Sequence, residues 1–274
     1  MSSDPAAAPD VPPFTRARAA GVPVTAVAST GSTNADMLRA TDGPAPLPDL
    51  AVLATLGQTS GRGRLDRVWQ APAGQMLAMS VLVRTPLPDE VRGWLPLVAG
   101  AAMRTAIETV LPDAPVLVKW PNDVLIGGPS TAERKVCGIL AQIAADGSVV
   151  VGSGVNLTIA EPDLPTPTAT SLLVEGAVGT AADLADAVLT VWWTALRDAV
   201  RALAGGGPAA AGVLAATRAA CGTIGRRVRL ELPDGAVVLA DAVGLDTAGR
   251  LLVRGDDGVE SAIAVGDVTH LRHD

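Results

Sequence analysis

A chain of 274 residues suits one large domain with a small appendage and is long enough for a substantial core. Its formal net charge of −7 argues against a general nucleic-acid coat, and no apolar run of about 18 residues escapes a charge or a proline, which leaves no membrane span. Positive charge is carried by 19 arginines and only two lysines, Lys119 and Lys135; tyrosine is absent, so small aliphatic side chains must build the core and the five tryptophans are conspicuous.

Residues 1–22 are rich in alanine and proline and read as a flexible tail. They open on acid and proline rather than on the basic and apolar stretches of a signal peptide. Residues 24–28 suit a strand, and Ser32, Thr33 or Asn34 can cap a helix running to about residue 40. Residues 50–56 suit a second strand, followed by a Gly/Arg stretch over 57–67. Over 75–84, Met76, Ala78, Ser80 and Leu82 alternate with Leu77, Met79, Val81 and Val83, a strand pattern. The spacing predicts one amphipathic helix over 88–111, opened by Asp89-Glu90 and closed by Pro112. Strands at 116–120, 136–144 and 148–157 follow, the last two joined by an Asp146-Gly147 turn. Helices over 181–203 and 209–220 flank the breaker Gly205-Gly206-Gly207-Pro208. From 225 to 272 short strands alternate with glycine-containing turns, a small β-barrel-like module. The expected architecture is an α+β body over 23–221 and a β domain over 222–274.

Cys137 and Cys221 have no metal-ligand spacing and read as reduced, buried thiols of a cytoplasmic protein. The only histidines, His270 and His273, lie at the far end, so chemistry in the body falls to lysine, arginine, carboxylates and backbone dipoles. The densest signal is Gln58-Thr59-Ser60-Gly61-Arg62-Gly63-Arg64-Leu65-Asp66-Arg67-Val68-Trp69. Its glycines let backbone amides approach an anion, and its arginines offer planar forks for phosphate. It lacks the third glycine of a dinucleotide fingerprint and the Gly-Lys-Ser/Thr of a P-loop. Taken alone it reads as a solvated or nucleic-acid-touching loop as well as a small-molecule site. Lys119-Trp120-Pro121-Asn122-Asp123 ends one strand and starts another, and alone is a polar turn over a core tryptophan. Lys135 precedes a strand; a lysine kept in so lysine-poor a chain points to a tight polar site that needs a compact ammonium. Gly152-Ser153-Gly154-Val155-Asn156-Leu157 permits close strand packing or ligand contact. Gly31-Ser32-Thr33-Asn34 is a helix start whose hydroxyls also suit a small polar head.

Taken in order, Gly-Ser-Thr-Asn (31–34), Gln-Thr-Ser-Gly-Arg-Gly-Arg (58–64), Lys-Trp-Pro-Asn-Asp (119–123), Arg-Lys-Val-Cys-Gly-Ile-Leu (134–140) and Gly-Ser-Gly-Val-Asn-Leu (152–157) resemble the biotin protein ligases. The match covers about 25–160, and the β module resembles that family's SH3-like end domain. The resemblance implies a class II aminoacyl-tRNA synthetase-like catalytic domain, a mixed sheet with helices, binding biotin and ATP. With only residues 1–30 before the first motif, it points to the enzyme-only class that lacks an N-terminal DNA-binding domain. It implies that biotin and ATP, with magnesium on the phosphates, give biotinyl-5′-AMP and pyrophosphate. Biotin then passes to a lysine on the biotin carboxyl carrier domain of a carboxylase. No nucleic-acid or membrane partner is expected.

By the same resemblance, Lys135 bridges the biotin carboxylate and the α-phosphate, and Arg62 and Arg64 clamp both as the loop folds over the ligand. Asp123 orients the acceptor amine. Ser32, Thr33, Asn34 and Gln58 take the ureido ring, and Gly61, Gly138 and Gly154 line the biotin slot. Arg67, Trp69, Lys119, Asn122 and Asn156 help seat the nucleotide, and no residue is assigned as a metal ligand. The chain departs from its relatives at Asp66, where they carry glycine, and at Cys137, where alanine is usual. Asp66 adds negative charge beside the phosphates or pairs with Arg67. The nearest rival is a lipoate- or octanoate-protein ligase, but a dithiolane offers no hydrogen bonds to the Ser32-Thr33-Asn34 and Gln58 group. The other rival, a biotin sensor without turnover, has no use for Lys135 and the full set of loop arginines.

Overall fold

The computed structural model describes residues 10–45, 47–65, 67–128 and 131–271. The chain opens with α1 (Thr15–Ala19), β1 (Val24–Ala26), α2 (Thr33–Thr41) and β2 (Val52–Thr55). A small ribbon of β3 (Gly61–Arg62) and β4 (Val68–Trp69) comes next. β5 (Met76–Val83), α3 (Asp89–Arg92), α4 (Leu95–Val110), β6 (Val116–Lys119), β7 (Asp123–Ile126), β8 (Arg134–Ile143) and β9 (Val149–Asn156) complete the first half. α5 (Ala181–Gly205) and α6 (Gly207–Ala220) lead to β10 (Arg227–Glu231), β11 (Val237–Leu245), β12 (Leu251–Arg254), β13 (Glu260–Ile263) and β14 (Asp267–His270).

Seven strands form one mixed sheet, ordered β1-β2-β5-β9-β8-β7-β6. The β1–β2 pair is parallel and the remaining neighbours are antiparallel. β5 lies near the middle and all eight of its residues are buried, because both faces are covered. Leu77, Met79, Val81 and Val83 face the main core with α4 and α5, whereas Leu82 packs with Met37 of α2 and Val150. Alternation therefore separates two interiors here rather than an inside from an outside.

Two expectations change. The tail expected over 1–22 is ordered from Phe14: Phe14 and Ala17 are fully buried, and the Asp186 carboxylate of α5 accepts the Arg16 and Ala17 N–H groups at 2.8 and 2.9 Å. An apolar anchor and a carboxylate cap on the first turn hold this segment down; residues 1–9 lie outside the described part. The single helix expected over 88–111 is broken at Gly93-Trp94 into α3 and α4. Pro96, in the first turn of α4, has no N–H to give the Arg92 carbonyl, and tertiary contacts fix the break in place. A Cβ on Gly93 would lie 2.3 Å from the Ala248 carbonyl oxygen, and the Trp94 indole donates to Thr247 O at 2.9 Å.

β10–β14 form the SH3-like module, an antiparallel sheet ordered β13-β12-β11-β10-β14. Its buried Val228, Leu230, Leu251, Val253 and Val268 belong to the same continuous core as the larger sheet. Its 247–249 turn is gripped by two indoles, since Trp120 Nε1 also donates to Gly249 O at 3.1 Å. Among the described residues no helix is long and apolar enough to cross a membrane.

Candidate active site

β5, β9 and β8 present one face to α2, to the 58–69 stretch and to residues 165–169, enclosing a cavity of about 360 Å3. One end is polar and internally bonded. Ser32 caps α2, accepting from Ala35 N at 3.4 Å. The Thr33 amide and hydroxyl donate to Gln58 Oε1 at 3.0 and 3.3 Å. Ser80 donates to Asn34 Oδ1 at 2.6 Å and lies 2.8 Å from Thr33 Oγ1, while Asn34 Nδ2 donates to Leu140 O and Gln142 Oε1 at 3.0 and 2.9 Å. Backbone pairing of Thr59 and Ser60 with Thr30 and Gly31 brings the first two motifs together. Gly152 makes room for this group: a Cβ there would sit 2.0 Å from Asn34 Oδ1.

The other end is charged. Lys135 Nζ is 2.6 Å from Asp123 Oδ1 and 5.3 Å from the centroid of a Trp69 ring. A bulge delivers the ammonium there. β8 opposes Leu125 with Lys135 but Val124 with Cys137, so one extra residue, Val136, is inserted. Without it Lys135 would share the face of the core residue Cys137; with it, Lys135 lies over Gly138 on the cavity face. Trp69 packs flat over the bare backbone, where a Cβ on Gly154 would lie 2.7 Å from its ring and one on Gly138 3.2 Å. Its buried Nε1 has no hydrogen-bond partner among the described residues.

The arginines of the 58–69 stretch reach toward the β module. Arg64 Nη1 is 3.4 Å from both Asn122 Oδ1 and Gly266 O, and Arg67 pairs with Asp267. Arg62 is exposed at the rim. Asn122 is fixed to β8, its Nδ2 donating to Ile139 O at 2.7 Å and its backbone oxygen accepting the Ile139 N–H at 2.8 Å. Burial holds the Lys119 ammonium below the usual lysine range despite the Asp123 carboxylate; Lys135 pushes it the same way. Burial also pushes the Cys137 thiol far up, leaving it an inert core residue.

Ser32, Thr33, Asn34, Gln58, Arg62, Arg64, Arg67, Trp69, Asn122, Asp123, Lys135, Gly138, Gly154 and Asn156 thus converge on one cavity. Gly61 and Lys119 do not line it. Gly61 lies beneath Gln58 and Trp69, where a Cβ would meet Gln58 Nε2 and Trp69 O at 2.4 Å. Asn156 lines the cavity, but its Nδ2 already donates to Thr170 O at 2.8 Å. Asp66 and His273 lie outside the described residues. Sequence reasoning missed Ser80, Gln142 and the 165–169 segment, which flanks the start of β8 through Lys135 N–H to Thr168 O at 2.7 Å. Gly152 was singled out only as part of its motif, for close packing or ligand contact, and packs against Asn34. Among the described residues no cluster of three His, Cys, Asp or Glu side chains could hold a metal ion.

Residues 27–156 match the model of the biotin/lipoate A/B protein ligase family, and 223–271 that of the biotin protein ligase C-terminal domain. The biotin–[acetyl-CoA-carboxylase] ligase of Mycobacterium tuberculosis is 40% identical over 250 residues, 90% of this chain and 88% of that protein. A ligase of the same description from Paracoccus denitrificans is 37% identical over 57% of this chain and 65% of its own. The biotin protein ligase of Aquifex aeolicus in complex with biotin and ATP superposes with a TM-score of 0.66 at 24% identity, over 89% of this chain and 97% of that one. The Leishmania major biotin protein ligase bound to biotinyl-5-AMP gives 0.54 at 26% identity, over 86% and 96%. A likeness that runs through both the large sheet and the β module makes this chain a member of the biotin/lipoate A/B protein ligase family, on its biotin protein ligase branch.

Proposed function

We propose that this chain activates biotin with MgATP to biotinyl-5′-AMP and transfers biotin to a lysine of a biotin carboxyl carrier domain. The observation that carries the reading is the two-ended cavity, with a hydrogen-bonding cluster around Thr33, Asn34 and Gln58 at one end and the Lys135 ammonium at the other. A bicyclic urea with an acyl chain ending in a carboxylate matches both ends, whereas a dithiolane offers the first no hydrogen bonds.

In the first step a carboxylate oxygen of biotin bonds to the α-phosphorus and the bond to pyrophosphate breaks. Two anions must meet, so the work is neutralisation and alignment. Lys135, exchanging Asp123 for the incoming anions, supplies charge where it builds, and Arg62 and Arg64 hold carboxylate and phosphate from the loop side. Magnesium enters with the ATP phosphates as part of the substrate. In the second step the acceptor amine attacks the acyl carbon, AMP leaves, and Asp123, released from Lys135, orients the amine and takes its proton. The reading places the enzyme in the cytoplasm, alongside ATP and the carboxylase acceptor.

Biotin-dependent exchange of pyrophosphate into ATP, run beside lipoate and octanoate, tests the first half-reaction. Exchange with biotin alone is expected. Exchange with lipoate instead moves the chain to the sister ligases, and tight biotin binding without exchange makes it a sensor.

A further inference from the structure

We propose that His270 of β14 is a positioning residue for the Lys119–Asn122 turn, acting through Thr223. The argument starts from hydrogen-bond direction. The Trp120 N–H donates to Thr223 Oγ1 at 3.0 Å, so the Thr223 hydroxyl keeps its hydrogen for another acceptor. Two acceptors lie in reach, the Cys221 sulfur and His270 Nε2 at 3.0 Å, and the Glu133 carboxylate, which can only accept from the far ring nitrogen, selects Nε2. An accepting Nε2 places the ring hydrogen on Nδ1, which faces Glu133 Oε2 at 2.8 Å. Arg226 Nη1 lies 2.6 Å from the other Glu133 oxygen and holds the carboxylate in place.

The result is a one-way chain: Trp120 amide to Thr223 hydroxyl, Thr223 to the His270 imidazole, imidazole to the Glu133 carboxylate. Thr223 is fully buried and the His270 side chain is 8% exposed, so water does not compete for these bonds. The chain begins next to Lys119 and ends two residues before Lys135, linking the surroundings of both lysines through the β module. That module holds the turn a second time by the bond from the Trp120 indole to Gly249 O. Trp120 is thus fixed by backbone and side chain together, and Lys119 and Asn122 on either side inherit its placement.

The inference rests on the proposed function only in taking Asn122, which lines the cavity at the far end of this turn, to face nucleotide, and binding measurements separate the two. Thr223→Val keeps the shape and removes the hydroxyl; Thr223→Ser keeps the hydroxyl. Calorimetric titration with magnesium and a non-hydrolysable ATP analogue is expected to show a roughly tenfold weaker Kd for Thr223→Val, the scale of one buried hydrogen bond. The biotin Kd should stay within about twofold, since the ureido end touches none of these residues. Thr223→Ser should return nucleotide binding to wild type. His270→Ala should reproduce the Thr223→Val effect, and the double variant should be no worse than either single one. Unchanged nucleotide affinity, parallel loss of both ligands, or additive effects in the double variant would overturn the assignment. Intact nucleotide binding without pyrophosphate exchange in the wild type would sink the ligase reading while leaving this one standing.

Discussion

In the proposed reaction Lys135 is the side chain on which the chemistry leans hardest, and its surroundings suit a compact ammonium. The ammonium is fitted between the Asp123 carboxylate, the Trp69 face and the bare Gly138 backbone. Lys135→Ala should lower the rate of biotinyl-AMP formation by about 100-fold or more, the scale of one lost charge-stabilising donor. Its melting temperature should stay near wild type, because a partly exposed pair contributes little to folding. Wild-type single-turnover rates would end the electrostatic role. The sequence singled this residue out by rarity, yet strand parity alone puts it on the Cys137 face. The bulge at Val136 that turns it into the cavity depends on pairing with β7, which no local pattern announces. Ser80 and Gln142 escaped for a related reason: each is an ordinary strand residue until folding sets it against Asn34.

Among the elements, the motifs were legible because each is a short run whose chemistry is local, whereas the contacts between runs were not. The 88–111 region shows the limit. Its apolar period is continuous, and Pro96 marks a break that the periodicity hides, while the approach of the Ala248 carbonyl explains why glycine stands at 93. Gly93→Ala should therefore cost about 1–3 kcal/mol, the scale of an overpacked contact, although alanine is the better helix former. A denaturant midpoint equal to or above wild type would show that the turn simply moves aside. The β3–β4 ribbon invites a different test. Arg64 joins the ribbon's loop to Asn122 on one side and Gly266 on the other, so it closes the cavity from above. Arg64→Ala should release free biotinyl-AMP during turnover, measurable in a filtrate, as water and product pass a cover that no longer seals. Identical intermediate lifetimes in variant and wild type would assign retention elsewhere.

The whole molecule depends on a seam that the sequence led us to misjudge. With both histidines at the far end, imidazole seemed remote from the body, but folding sets His270 against Glu133 beside the Lys119 turn. Burial lowers the His270 pKa and, with Arg226 and Lys119, outweighs the Glu133 carboxylate. Burial raises the Glu133 carboxyl, but the His270 and Arg226 contacts outweigh it and leave it below the usual range. Both pKa values are depressed in the folded state, so each group contributes stability above its unfolded value and loses it as pH falls. The melting temperature should drop first as pH falls below 6.5, where unfolded histidine takes up a proton, and again below 4.5 as glutamate does. His270→Gln should flatten the upper part of that profile; an unchanged slope would place the titration elsewhere. The same seam bears on how the protein is made. A growing chain that has reached residue 160 already carries all five motifs, yet nothing holds the Lys119 turn from behind. The residues of the proposed site are finished long before the site is, and the wait ends only when residues 266–270 are added and β14 closes the module.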